Sequence, residues 1–151
     1  MDRAVPDSIF RTLARCLQAS KTAELCGFIV KGVHDDHTFV AVPNLSPSPA
    51  CFTMSSLDVR RVRERAVRSG GKLTALVHSH STDTRMSIDD EAAFMNCDLP
   101  WLIVSLFGRA LSWHYYKLDR ECNRVDRSTA LVTQGQMILD SSDEPRNTRS
   151  R

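Results

Sequence analysis

The chain has no run approaching the roughly eighteen apolar residues of a membrane-spanning helix, which excludes a helical transmembrane protein. Its opening residues, MDRAVPDSIF, carry acids and a proline where a secretory leader needs a basic cluster and an apolar stretch, so the expected compartment is cytoplasmic. Net charge is only +2, too little for the basic footprint of a nucleic-acid-binding domain. A disulfide scaffold is excluded as well: Cys16, Cys26, Cys51, Cys97 and Cys122 are odd in number and lack framework spacing, which suits reduced thiols. No segment repeats. The arginine-rich stretch from Arg60 to Arg68 has no interleaved aromatic residues, which argues against single-stranded nucleic acid. With Glu64 among its charges, it reads as the solvated side of a helix. What remains is a 151-residue chain, 42% hydrophobic and 25% charged, long enough to bury the core of one domain.

Pro6-Asp7-Ser8 opens a predicted helix in which Ile9, Phe10, Leu13, Cys16 and Leu17 share a face as far as about Ala19. Glu24 to Lys31 is short, apolar and β-branched toward its end, hence a strand; His37 to Val42 is its antiparallel partner across the turn Gly32 to Asp36. Ser55 or Ser56 caps a second helix, and Gly70-Gly71 ends it. A strand over Lys72 to His80 follows, then a helix from about Ile88 to Cys97. Pro100 to Phe107 reads as a strand buried on both faces, turning at Gly108-Arg109 into another over Ala110 to Leu118. Beyond Asp119 the pattern weakens: Glu121 to Met137 has room for one short strand or helix, and residues 136–151 read as a disordered polar tail. This order predicts a three-layer α/β (α+β) domain over residues 1–135, with a single mixed β-sheet flanked by helices.

The chemistry concentrates in Val77 to Glu91, VHSHSTDTRMSIDDE. His78 and His80 stand at i and i+2 at the end of a strand, so both rings leave the same face of the sheet. Ser87 and Asp90 hold the Ser-x-x-Asp spacing of a capping box, with serine at the N-cap and an acid at the third helical position. Two imidazoles and a carboxylate from the first helical turn make a three-ligand set, leaving a fourth tetrahedral position open on zinc, the mark of a catalytic site. Glu24, at the edge of an early strand, is a carboxylate available as general base. Two other zinc patterns fail: a His-x-His-x-Asp-His run would need Asp83 one place earlier, and no Pro-Cys-x-x-Cys occurs. His34, His37 and His114 have no partners at ligand spacing and read as structural or exposed.

These residues resemble the JAMM (JAB/MPN) metalloproteases, whose signature is His-x-His, seven residues, Ser-x-x-Asp, and a glutamate far upstream. The matching pieces are His78-Ser79-His80, Ser87-Ile88-Asp89-Asp90 and Glu24 in an E-x-C-G sequence; Pro43-Asn44 and Leu99-Pro100-Trp101 also look like small bacterial members. The resemblance covers roughly Leu13 to Leu118. The chain departs from the pattern in having six residues, Ser81 to Met86, between His80 and Ser87, and Ser81 where proline is common. The intact Ser-x-x-Asp spacing favours Asp90 as third ligand, with Asp89 or Asp83 as alternatives.

The resemblance implies the JAB/MPN (cytidine-deaminase-like) fold and one zinc ion held by His78, His80 and Asp90, with a water in the fourth position. It further implies Glu24 as general base and acid and Ser87 as a donor to the oxyanion. The implied activity is a deubiquitinase-like isopeptidase or peptidase acting at the C-terminal tail of a ubiquitin-like or small carrier protein, a tail that binds extended by strand addition. The lack of long insertions points to a stand-alone bacterial enzyme, of a kind that accompanies ubiquitin-like conjugation machinery or antiviral operons. Sulfur-carrier or phage-tail processing, or a non-catalytic protein-binding module, are the alternatives; neither nucleic acid nor a membrane is expected as partner.

Overall fold

The computed structural model describes residues 4–20, 24–118 and 130–140. Strand alternation decides how the sheet is covered. In β3 (Lys72–Ser79), Ala75 and Val77 face a core that also holds Ile9, Phe10, Leu13 and Ala14 of α1 (Asp7–Ala19). Leu76 faces the opposite core, which takes Val59 and Val62 from α2 (Ser56–Arg68) and Phe94 from α3 (Ile88–Met95). One helix therefore lies on one face and two on the other, the expected three layers. The parity of β3 commits His78 to the face of α2 and α3.

The other strands are β1 (Cys26–Lys31), β2 (His37–Val42), β4 (Trp101–Phe107), β5 (Ala110–Leu118) and β6 (Ala130–Ile138). The sheet order is β2-β1-β3-β4-β5-β6. All neighbours are antiparallel except β3 and β4, which run parallel, as a crossover through α3 requires. β4 is buried from Trp101 to Ser105, as its unbroken apolar run predicts. Among the described residues, no helix is long and apolar enough to cross a membrane. Cys16, Cys26, Cys51 and Cys97 are free thiols.

β1 tolerates no side chain at Gly27. A Cβ built there would lie 2.2 Å from the Val40 carbonyl oxygen and 2.9 Å from Phe39 Cε2. Since backbone of the paired strand cannot move without breaking the ladder, Gly27→Ala is expected to destabilise the protein by about 1–3 kcal/mol in a denaturant titration.

The sequence pattern falls short at the C-terminal end. β6 is a full nine-residue strand paired along the whole of β5, from Ala110↔Ile138 to Leu118↔Ala130. Leu139 is 2% exposed and its N–H donates to the Arg109 carbonyl at 2.8 Å. The domain therefore runs at least to Leu139 and not to residue 135, and the first residues assigned to a tail are strand. The reason is local: Thr133, Gln134, Gly135 and Gln136 break the apolar pattern, because this is an edge strand and Gly135 makes room for Trp113. A Cβ at Gly135 would sit 2.4 Å from the Trp113 ring. Residues 141–151 and Cys122 lie outside the described residues.

Candidate metal centre

The antiparallel register of β1 and β3 builds the site. Cys26 pairs with His78, and one step further Leu25 and Ser79 are joined: the Ser79 N–H donates to the Leu25 carbonyl at 2.9 Å, while the Leu25 N–H donates to Ser79 Oγ at 2.8 Å. Glu24 stands just before Leu25 and His80 just after Ser79, so the pairing of the two strands carries a carboxylate to the two histidines. β4 holds the other side, with the His80 N–H donating to the Val104 carbonyl at 2.9 Å. Glu24, His78 and His80 each offer a ligand atom within 4.8 Å of the others, a group able to hold a metal ion.

α3 contributes Asp90. Ser87 is the N-cap; its Oγ accepts from the Asp90 N–H at 3.1 Å, and its own N–H donates to Asp90 Oδ2 at 3.0 Å. The capping box thus turns the Asp90 carboxylate back toward β3. There Oδ1 lies 3.3 Å from His78 Nε2 and Oδ2 lies 3.0 Å from His80 Nε2. The two Nε2 atoms are 3.1 Å apart. With bonds of about 2.0–2.1 Å, a tetrahedral ion such as zinc keeps its ligand atoms about 3.3 Å apart. Two imidazole nitrogens and a carboxylate therefore already stand close to the edges of such a tetrahedron.

Proton placement agrees with that fit. His80 Nδ1 lies 3.0 Å from the Asp83 carbonyl oxygen, which can only accept, so Nδ1 carries the hydrogen and the Nε2 lone pair faces Asp90. A lone pair against a carboxylate needs a cation or a second proton between them. Burial pushes the His78 imidazole below its ordinary pKa despite the pull of Asp90, which keeps it neutral, the form that ligates a metal. His80 is raised, chiefly by its hydrogen bond to Asp90. Burial alone would raise the Asp90 carboxyl, but the two histidines and the Ser87 N–H outweigh it and hold it well below the usual carboxylate range. Glu24 moves the other way: burial raises it, against His80 and with Asp90 adding to the rise.

The surroundings are apolar. Phe52 stacks on the His78 ring at 4.3 Å, and Trp101 meets it edge-on at 5.2 Å. His78 Nδ1 is buried with no hydrogen-bond partner among the described residues. Asn44 holds the loop carrying Phe52. Its Nδ2 donates to the Glu24 carbonyl at 3.0 Å and the Cys51 carbonyl at 3.1 Å, while its Oδ1 accepts from the Ser46 and Thr53 N–H groups, each at 3.0 Å. One amide with all four of its bonds made ties the backbone of Glu24 to the loop over His78.

The structure brings Glu24, His78, His80 and Asp90 together and places Ser87 at the cap beside them. Ser87 Oγ serves the cap as acceptor, which leaves its O–H to donate. Asp83 and Asp89 stay outside: both are exposed, and the Asp83 carboxylate accepts from the Arg85 N–H at 2.9 Å within its own loop. Asn44, Phe52 and Ser79 are the supports that spacing alone does not single out. The nearest signal was the Pro43-Asn44 pair closing a strand. A cavity of about 470 Å³ between β1, β2 and α2, with Val30, Val40, Arg61 and Arg65 in its wall, is lined by none of the site residues.

A mixed six-stranded sheet between one and two helices, with a His-x-His strand end facing a capped acidic helix, defines an α+β domain of the JAB/MPN type. The chain belongs to the family of prokaryotic homologs of the JAB domain, whose pattern matches residues 6–129. A solution structure of a protein from Desulfitobacterium hafniense superposes with a TM-score of 0.62 at 21% identity, covering 89% of this chain and 88% of that one. A second, from Salinibacter ruber, gives 0.51 at 19% identity over 93% of each chain. At such identities the likeness concerns the fold. No curated protein matches the chain.

Proposed function

We propose that this protein is a zinc-dependent isopeptidase or peptidase that cleaves after the C-terminal tail of a ubiquitin-like or small carrier protein. The observation that carries the reading is the set of 3.0–3.3 Å separations among His78 Nε2, His80 Nε2 and the Asp90 oxygens, with Glu24 offering a ligand atom within 4.8 Å of both rings. In this reading Asp90 is the third ligand and Glu24 is left free, because the Asp90 oxygens lie 3.3 and 3.0 Å from the Nε2 atoms of His78 and His80. Zinc bound there would act as a Lewis acid and bring the pKa of water from about 15.7 toward 7.

The residues of the chain do the rest. Glu24, its basicity raised by burial, takes the proton of the attacking water and returns it to the amine as the C–N bond breaks. The Ser87 hydroxyl donates to the oxygen that gains charge when the carbonyl carbon becomes tetrahedral. Ser79 and Asn44 keep the Glu24 backbone in place, and Phe52 with Trp101 excludes water from His78. The test is metal content by mass spectrometry together with cleavage of a ubiquitin-like protein carrying a C-terminal extension. One zinc per chain and chelator-sensitive cleavage are expected. A metal-free protein that still binds such a fusion without cutting it would instead make the domain a binding module.

A further inference from the structure

The loop Ser81 to Met86 is exposed at Ser81, Thr82, Asp83 and Arg85, yet Thr84 in its middle is only 4% exposed. A buried hydroxyl and carbonyl need partners, and both of those of Thr84 come from β5. Thr84 Oγ1 is hydrogen-bonded to His114 Nδ1, and the Tyr116 hydroxyl donates to the Thr84 carbonyl at 3.1 Å. His114 and Tyr116 sit two residues apart on one face of β5, their rings stacked at 5.8 Å. β5 is not a neighbour of β3, for β4 lies between them.

The peptide that precedes Thr84 carries the Asp83 carbonyl, the acceptor for His80 Nδ1–H at 3.0 Å. Because that peptide is a rigid plane, anchoring Thr84 fixes where the carbonyl points. The carbonyl in turn sets both the tautomer and the rotation of the His80 ring. We propose that Thr84, His114 and Tyr116 form a clamp that aims His80 Nε2 at the metal centre, making β5 a positioning element for a ligand it never touches. The inference rests on the metal reading above and goes beyond it, since it assigns a role to the short loop and to two residues outside the site.

Thr84→Val keeps the shape and removes the hydroxyl, Tyr116→Phe removes the donor to the carbonyl, and Thr84→Ser restores the hydroxyl as a rescue. Zinc affinity is read by chelator competition, and the tautomer of His80 in the metal-free protein by long-range 15N–1H spectra of its imidazole. Loss of an outer partner of a metal-bound histidine typically costs about 10- to 100-fold in affinity. Thr84→Val and Tyr116→Phe are each expected to lose that much, with His80 no longer held as the Nδ1–H form, while Thr84→Ser behaves as wild type. A merely structural role would lower the melting temperature of the metal-free variants and leave both the affinity and the tautomer unchanged; that result overturns the clamp. A wild type that takes up no zinc overturns the metal reading itself. The imidazole spectra still judge the clamp in that case, because variants with an unaltered His80 tautomer would overturn it separately.

Discussion

Glu24→Gln is expected to lower the proposed cleavage by about 10²- to 10⁴-fold, the usual contribution of a positioned general base, while zinc uptake stays at the wild-type level. The combination of outcomes matters more than the loss alone. Glu24 is close enough to His78 and His80 to serve as a ligand in its own right, within the same 4.8 Å group. If it were the third ligand, the amide variant would lose metal and activity together. If it is the base, metal content stays at wild-type level and only turnover falls, which a metal assay beside the activity assay decides. Stability should move the opposite way. The folded-state pKa of Glu24 is raised, so its ionised carboxylate costs stability at every pH above that value. The neutral amide removes this cost. The metal-free variant should therefore melt slightly higher than wild type at neutral pH, with the gain disappearing in acid as Glu24 protonates in the wild type.

Asp90→Asn carries the second large effect. The substitution keeps an oxygen that can accept from the Ser87 N–H, so the first turn of α3 should survive with its cap. What it removes is the charge between two imidazole nitrogens at 3.0 and 3.3 Å. Zinc affinity should fall by more than about 100-fold, beyond the range of outer-shell losses, and far-ultraviolet circular dichroism should be unchanged. The pH response should change too. Asp90 is depressed in the fold, so its contribution to the metal-free protein is present above the ordinary carboxylate range and lost as pH falls. In Asp90→Asn that acid-dependent loss should be missing. Tight zinc binding by this variant would exclude Asp90 as a ligand.

Both effects trace back to how the site is assembled, and that assembly was only partly legible in the sequence. The elements up to Leu118 follow from periodicity: α1 from its three- and four-residue apolar spacing, β4 from an unbroken run that needs burial on both sides. Local chemistry also announces the capping box, because Ser87 and Asp90 lie within one turn. Glu24 is different. Nothing near it in sequence says that it will lie beside His78 and His80; the pairing of β1 with β3 brings them together, and registers are settled by core packing between distant segments. Its place at the edge of an early strand marked it as an available carboxylate, and the resemblance to a known family pattern tied it to the two histidines.

The supports were less legible still. Asn44 makes its bonds to Glu24, Ser46, Cys51 and Thr53 through a loop whose Pro/Ser composition reads as mere connection. Thr84 looked like one polar residue among several in an exposed loop, and β5 is far from it in sequence. β6 was obscured for the reverse reason. Its apolar alternation is weak because it lies at an edge and yields space to Trp113, so tertiary fit overrode the pattern.

The fully bonded amide of Asn44 has one more consequence, for how this domain can be enlarged. Both ends of the loop return to it, through Ser46 on one side and Cys51 and Thr53 on the other, and the Leu45 N–H closes the neck on the Thr53 carbonyl at 2.8 Å. Residues 47–50 outside that neck are exposed. Each doubling of a flexible loop costs only about 0.6 kcal/mol. Extra chain could therefore be spliced between Ser46 and Cys51, an appended recognition arm or a tether to a neighbouring protein, without disturbing Glu24 or the ring over His78. The neck is a mechanical isolation joint, beyond which the loop can diversify while the chemistry stays put.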